Sequence, residues 1–324
     1  MTMTNKVFII VLNYNGGKFT KNCLLSLKDI NYSNCFILVV DNGSSDNSLN
    51  IIENVVEKEF YQGSKNIPVK IIENKKNLGF AGGNNRGIEY ALKNGADYIL
   101  LLNNDTICQD KDFLNKMIEV GEKNGRIGIV GPRIYFNDGK IWFAGGKINF
   151  LKTKAWHIGY GESKNSFLES GLAKEVDYIT GCCLLIKKEV VNKIGLMPED
   201  YFLYYEDVQW CINARKSGYK CVYVPYAWIY HNASSTAKEF SPPYIYYHTR
   251  NGLILGWRNN NWILRIIVIL FSFWILLKQI IKLIIGYKKD WAKIIIRGVF
   301  DFYRGKTGKF SLRVLHSTKP RVGL

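Results

Sequence analysis

Four short apolar runs constrain this chain more than any other feature. Val7–Leu12, Phe36–Val40, Val69–Ile72 and Tyr98–Leu102 are unbroken and rich in β-branched or aliphatic residues. Strands covered on both faces read this way, because neither face needs to alternate with polar residues. A polar loop follows each run. Helical periodicity then resumes: Phe19, Cys23, Leu24 and Leu27 after the first, Ser48–Phe60 after the second, and Asn84–Lys93 after the third. Strand, loop and helix in this repeated order predict an α/β fold, with a Rossmann-like, mostly parallel central sheet flanked by helices. Open sheets of this kind place their ligand crevice beyond the carboxyl ends of the strands. Asn13, Asp41 and Asp105 stand at such ends and are expected to converge, although they are far apart in sequence.

Beyond Asp105 the pattern loosens. Lys111–Lys123 predicts a helix, and 127–132, 141–144 and 148–151 predict short strands. Val176–Ile186 reads as one further buried strand, with a helix over Lys187–Ile194. The most hydrophobic stretch is Trp262–Gly286, yet its uncharged core, Ile266–Leu277, is only 12 residues long. A spanning helix needs ~20. With Arg265, Lys278 and Lys282 around it, the stretch reads as a helix in or against a membrane interface, its basic heads reaching phosphates. A helix packed on the domain and a true span are the alternatives.

Charge supports the interfacial reading. The chain carries +17 overall, and residues 248–324 hold 15 Lys/Arg against Asp290 and Asp301 alone. This divides the chain into a 1–247 catalytic unit and a basic, hydrophobic helical extension at 248–324. The extension's charges are interleaved with long aliphatics rather than set beside a base-stacking platform. An anionic membrane surface, not nucleic acid, is therefore its expected partner. The seven Cys form no C-x-x-C pair, which suits reduced, buried thiols. The N-terminal apolar run is too short for a secretory signal, so a peripheral or monotopic protein on the cytoplasmic side of the membrane is expected.

Several polar residues carry candidate chemistry. Asp105 ends "YILLLNNDT", and a buried strand does not end in a bare carboxylate without a donor or a cation. The residues alone leave a turn and a metal or ligand site both open. Asp46 is placed to cap the helix that follows it. Glu206-Asp207 sit among aromatics in "YFLYYEDVQW". A helix N-terminus would favour both acids, whereas apolar surroundings would raise a carboxylate toward general-base range. Arg215 is a candidate partner for one of them or for a phosphate. His231, after an apolar strand, is either a structural hydrogen-bonder or a metal ligand. The glycines of "NLGFAGGNNRG" would let a backbone approach a phosphate, but they lack the spacing of a dinucleotide site, and no P-loop run is present.

Taken together and in order, "VLNYNG" (11–16), "VVDNGSSDNS" (39–48), "NLGFAGGNNRGIEYAL" (77–92), "LLLNNDT" (100–106), the "ITGCCLL…YYEDVQW…KSGY" region (179–219) and "YYHTRN" (246–251) resemble the family 2 glycosyltransferases. Within that family the chain is similar, over roughly 6–310, to the rhamnosyltransferase-type branch that builds bacterial and archaeal surface glycans. The resemblance implies a GT-A fold and an inverting transfer, with rhamnose one candidate sugar. The donor would be a dTDP- or UDP-linked sugar, the acceptor a lipid-linked or surface glycan. Asn13, Tyr14 and Asp41 would hold the nucleoside. Asn77 and the Gly79–Asn84 loop, with Gly82, would border nucleotide and sugar. Asp105 matches the last acid of a D-x-D motif that binds Mg²⁺ or Mn²⁺ on the diphosphate. Asn103 stands in place of its first acid, with Asn104 between them on the donor side. Asp207, preceded by Glu206, matches the base of an E-D motif, and His231 falls where some members add a metal ligand.

This agrees with the physical reading. A departing diphosphate needs its charge neutralised, and an attacking hydroxyl must lose a proton. A sugar-phosphate nucleotidyltransferase would instead need a glycine-rich basic phosphate loop after the first strand, where this chain has "NYNGGKF". A non-catalytic membrane-binding protein would use the tail alone.

Overall fold

The computed structural model describes residues 5–62, 67–163, 171–232 and 241–310. The small polar residues Ala233–Thr236 after the His231 strand and the end of the basic extension, 311–324, lie outside the described residues.

The anticipated alternation is present as β1 (Val7–Asn13), α1 (Gly17–Leu27), β2 (Cys35–Asp41), α2 (Ser48–Val56), β3 (Val69–Glu73), α3 (Gly79–Lys93) and β4 (Tyr98–Asn103). β3, β2, β1 and β4 lie side by side and all parallel. Their register sets Asn13 opposite Asp41, and Leu12 opposite Asn103. The three strand ends are therefore level, as expected.

The second half continues with β5 (Thr106–Ile107), α4 (Phe113–Glu122), β6 (Ile127–Phe136), β7 (Ile141–Phe143), β8 (Gly146–Asn149), β9 (Lys154–His157), β10 (Lys174–Val176), β11 (Cys183–Lys187), α5 (Lys188–Ile194), α6 (Glu206–Lys216) and β12 (Lys220–His231). β11 joins β4 antiparallel, β6 follows antiparallel to β11, and β12 pairs with β6 in parallel. The sheet order is β10-β12-β6-β11-β4-β1-β2-β3. Strands β1, β4 and β11 are buried nearly end to end, which accounts for their unbroken apolar runs.

Two expectations change. Val176–Ile186 is not one strand: β10 lies at the sheet edge beside β12, while β11 lies between β4 and β6. The chain turns between them, where the Gly181 N–H is donated to Asp207. The glycine-rich segment is not a loop either, since α3 already begins at Gly79. A Cβ on Gly83 would stand 2.5 Å from Leu12 Cδ1, and one on Gly87 would stand 2.7 Å from Ile10 Cγ2. These glycines let α3 lie directly on β1.

The C-terminal helices are α7 (Pro242–Asn259), α8 (Trp262–Ile284) and α9 (Lys289–Tyr303). The 247/248 boundary falls inside α7. Tyr246 donates to Asp301 of α9 at 2.8 Å. α8 rests on its neighbours along one stripe that includes Val268, Ser272 and Gln279. On its other side Trp262, Leu270, Phe273, Leu277 and Ile284 are exposed. By length and composition alone α8 is able to cross a bilayer. All seven cysteines are buried and unbridged.

Gly43 ties the loop after β2 to the loop after β3. Its φ is +74°, and an added Cβ would lie 2.7 Å from Lys76 Cα. Gly43→Ala is expected to destabilise the fold by about 2–4 kcal/mol, combining left-handed strain with overpacking. Urea denaturation measures this, and an unchanged midpoint would contradict the account.

Candidate active site

The end of β1 is held by a closed hydrogen-bond network. Asn13 is fully buried, and its amide donates to Asp41 Oδ1 at 2.7 Å and to Ser44 Oγ at 3.0 Å. Its carbonyl oxygen accepts from Thr20 at 2.7 Å and from Asn104 at 3.3 Å. Asp41 also accepts from the Ser44 hydroxyl at 2.6 Å and the Ser44 N–H at 2.9 Å. Asn13 and Asn104 therefore turn these polar atoms inward and form the floor of the crevice. Tyr14 is 40% exposed beside this floor and presents a ring to solvent.

Asn77 accepts from the Gly79 N–H at 2.8 Å and from Asn42 at 3.2 Å. Asn42 itself bonds Asn74, Leu78 and the Gly79 carbonyl. Gly82 packs against Leu78 and Glu199, and Asn84 is buried with its amide on the Phe80 carbonyl. Gly82 and Asn84 are thus engaged with protein, whereas Asn77 borders the crevice half-exposed.

Asp105 and His231 meet because β5 pairs with the end of β12, setting His231 opposite Thr106. Asp105 Oδ1 lies 3.1 Å from His231 Nε2, and both side chains are buried. The other imidazole nitrogen, Nδ1, is buried with no hydrogen-bond partner among the described residues. Trp142 packs edge-on against the imidazole at 4.5 Å. Asn103 is partly exposed at the same strand tip. One carboxylate, one imidazole and one amide suit a divalent cation that takes its remaining ligands from phosphate and water. Among the described residues no group of three His, Cys, Asp or Glu comes together to hold a metal unaided.

The acidic pair opens α6, and its two members differ sharply. Glu206 is buried, and its Oε2 has no hydrogen-bond partner among the described residues. Burial, reinforced by the neighbouring Asp207 charge, pushes it up to about 8. Asp207 is partly exposed and accepts from the Gly181 N–H and from its neighbour Val208 N–H, each at 2.8 Å. Burial raises it above the ordinary carboxylate range, and those N–H donors, with the Thr180 side chain, oppose the shift. The N–H donors compensate a charge on Asp207, while burial and the neighbouring acid disfavour the charged form of Glu206. The Asn103 N–H is donated to the Cys182 carbonyl at 2.9 Å, so the strand tip and Asp207 are two peptide units apart through Gly181.

Arg215 does not reach this pair; it contacts Asp177 at 3.5 Å. Asp46 is not the cap of α2, whose N-cap position is Asn47; it stands one residue ahead and accepts from the Ser48 N–H at 3.0 Å. The sequence reading assigned no role to Asn42, Thr20 or Ser44, nor to Arg250 and Asn251. The "YYHTRN" motif (246–251), which ends in both residues, was the available signal for the last two.

The sequence model described as glycosyl transferase family 2 matches residues 8–195. The chain is 24% identical over 282 residues to an N-acetylglucosaminyl-diphospho-decaprenol L-rhamnosyltransferase of Mycobacterium tuberculosis, covering 80% of this chain and 87% of that one. It is 24% identical over 268 residues to the dTDP-rhamnosyl transferase RfbF of Shigella flexneri, covering 80% and 82%. Two other curated relatives are longer, and the aligned part spans 23% and 63% of their lengths. In structure it is similar to the mannosyltransferase PcManGT of Pyrobaculum calidifontis, solved with GDP-Man and Mn²⁺. The TM-score is 0.58 at 12% identity, covering 94% and 89% of the two chains.

The raised Glu206 has a measurable consequence. Between its ordinary value of 4.5 and about 8, the folded chain binds the proton more tightly than the unfolded chain. Stability is therefore lost as pH rises through that window. Glu206→Gln should flatten this dependence, gaining on wild type by ~2 kcal/mol or more between pH 5 and pH 8. Denaturation at the two pH values tests it, and parallel curves would refute it.

Proposed function

This chain belongs to glycosyl transferase family 2 and has the GT-A fold, and from that premise we propose an inverting transfer in which Asp207 is the general base. A sugar moves from a nucleotide diphosphate donor to a hydroxyl of a lipid-linked or cell-surface glycan. The observation that carries this is the contrast within the acidic pair. Asp207 is oriented by two N–H groups and partly exposed, beside a Glu206 that burial pushes up to about 8. A base held this way takes the acceptor hydroxyl's proton as the oxygen attacks the anomeric carbon. One displacement inverts that centre, so no covalent nucleophile is required.

The floor formed by Asn13, Asp41 and Asn104 supports a nucleoside, with Tyr14 available to stack on the base and Asn77 at the sugar side. Asp105 and His231 would hold Mg²⁺ or Mn²⁺, with Asn103 beside them, and the bound ion would neutralise the departing diphosphate. The two relatives named as rhamnosyltransferases, each aligned over 80% of this chain, make dTDP-rhamnose the first donor to test.

The exposed apolar side of α8, with Arg265, Lys278 and Lys282 along the helix and Lys288 and Lys289 after it, suits an anionic leaflet. Docked there, on the cytoplasmic side, the site would meet a lipid-linked acceptor in two dimensions.

Asp207→Asn is expected to lower kcat by about 10³-fold. Binding of the nucleotide diphosphate should change little, because the donor floor is untouched. Nucleotide release assays and calorimetry check the pair of outcomes, and normal turnover would remove Asp207 from the role. Replacing Leu270 and Leu277 by Glu should abolish flotation with phosphatidylserine vesicles while preserving the circular dichroism of the fold; retained flotation would rule out α8 as the docking surface.

A further inference from the structure

The five residues before the acidic pair follow a backbone path that side chains rarely allow. Phe202, Tyr204 and Tyr205 all have positive φ, at +67°, +65° and +76°. Such a run persists only where its surroundings over-determine it. The surroundings come from α7, about fifty residues further along the chain. The Asn251 amide donates to three consecutive-loop carbonyls: Tyr201 at 3.1 Å, Leu203 at 2.9 Å and Tyr204 at 2.8 Å. Arg250 donates to the Tyr201 carbonyl at 3.0 Å, to the Gly308 carbonyl at 2.8 Å, and to Asn251 Oδ1 at 2.9 Å. Both side chains are essentially inaccessible to solvent. The guanidinium lies 5.2 Å from the ring centroids of Tyr246 and Tyr247.

These contacts are aimed at the catalytic loop and not merely at packing. The loop's far side donor, the Phe80 N–H at the start of α3, bonds the Phe202 carbonyl at 2.7 Å. One loop thus touches the donor-side helix at Phe202 and launches α6 with Glu206 and Asp207 at its other end. A buried charge with no carboxylate partner among the described residues is a costly way to fill space. Four main-chain acceptors, the carbonyls of Tyr201, Leu203, Tyr204 and Gly308, would otherwise be met by water or by a relaxed loop.

We propose that Arg250 and Asn251 are positioning residues for the transfer: they hold the 201–205 loop in its left-handed path and so set where Asp207 stands relative to the donor. The inference rests on the reading of Asp207 as base. It makes α7 part of the active-site machinery as well as the stem of the extension.

The test compares full-length wild type with Asn251→Asp, which keeps the side chain's size and removes its donors. Hydrogen exchange of residues 201–207 should accelerate by ~10-fold or more, with β1–β4 still protected. At saturating substrates kcat should fall by ~100-fold, the scale of a small misplacement, while the Kd for nucleotide diphosphate stays within about threefold. Adding Tyr204→Gly, which takes φ +65° without steric cost, should recover about tenfold of kcat. Unchanged exchange at 201–207 overturns the proposal. So does parallel loss of kcat, nucleotide affinity and β1–β4 protection. If Asn251→Asp does not fold, Arg250→Lys is read by the same measurements. Faster exchange in a protein whose wild type transfers no sugar would support the clamp and sink the transfer reading instead.

Discussion

β1 is buried on both faces between β2 and β4, and its register with them governs everything placed at the strand tips. Because side chains alternate across a sheet, a slip of one residue would turn Asn13 and Asp41 to opposite sides. The register is secured from both directions. Below, the apolar strands have no alternative burial. Above, the Asn13 amide ties Asp41, Ser44, Thr20 and Asn104 together across the tips of β1, β2 and β4. The closely packed α3, seated through Gly83 and Gly87, leaves β1 no room to shift. The crevice above therefore has a rigid floor before any ligand arrives, which is what oriented transfer requires.

Two carboxylates separated by one peptide bond do different things because the fold treats them differently. Asp207 receives N–H donors from Gly181 and Val208, so its charge is compensated. Glu206 points into the interior, its Oε2 without a partner among the described residues, and burial pushes it up to about 8. Two full negative charges there would repel any phosphate brought near. The geometry compensates one acid with N–H donors and places the other where its charged form is disfavoured.

The strand pattern and the level strand tips were legible in the sequence, because both follow from local periodicity and the topology it implies; a helix at Glu206 was one of two open readings, and the nearness of His231 to Asp105 was implied by the family resemblance alone. The glycine-rich segment misled for an instructive reason. Glycine is permitted both where a backbone nears a phosphate and where a helix nears a strand, and only the neighbours Leu12 and Ile10 tell the two apart. Val176–Ile186 misled because an apolar run does not record which neighbour each half pairs with. Arg215 was drawn toward the acids by spacing, and Asp177 lies closer.

By itself the sequence determined the class of fold, the set of polar residues at the strand ends and the family, since these rest on apolar periodicity and on motifs in order. Only the tertiary structure decided how differently the two acids are held, because that depends on burial and on the donors supplied by Gly181 and Thr180. It alone showed that Arg250 and Asn251 belong with the 201–205 loop. Hydrogen bonds across fifty residues leave no periodic trace in a chain; they exist only once α7 is folded back against the loop it holds.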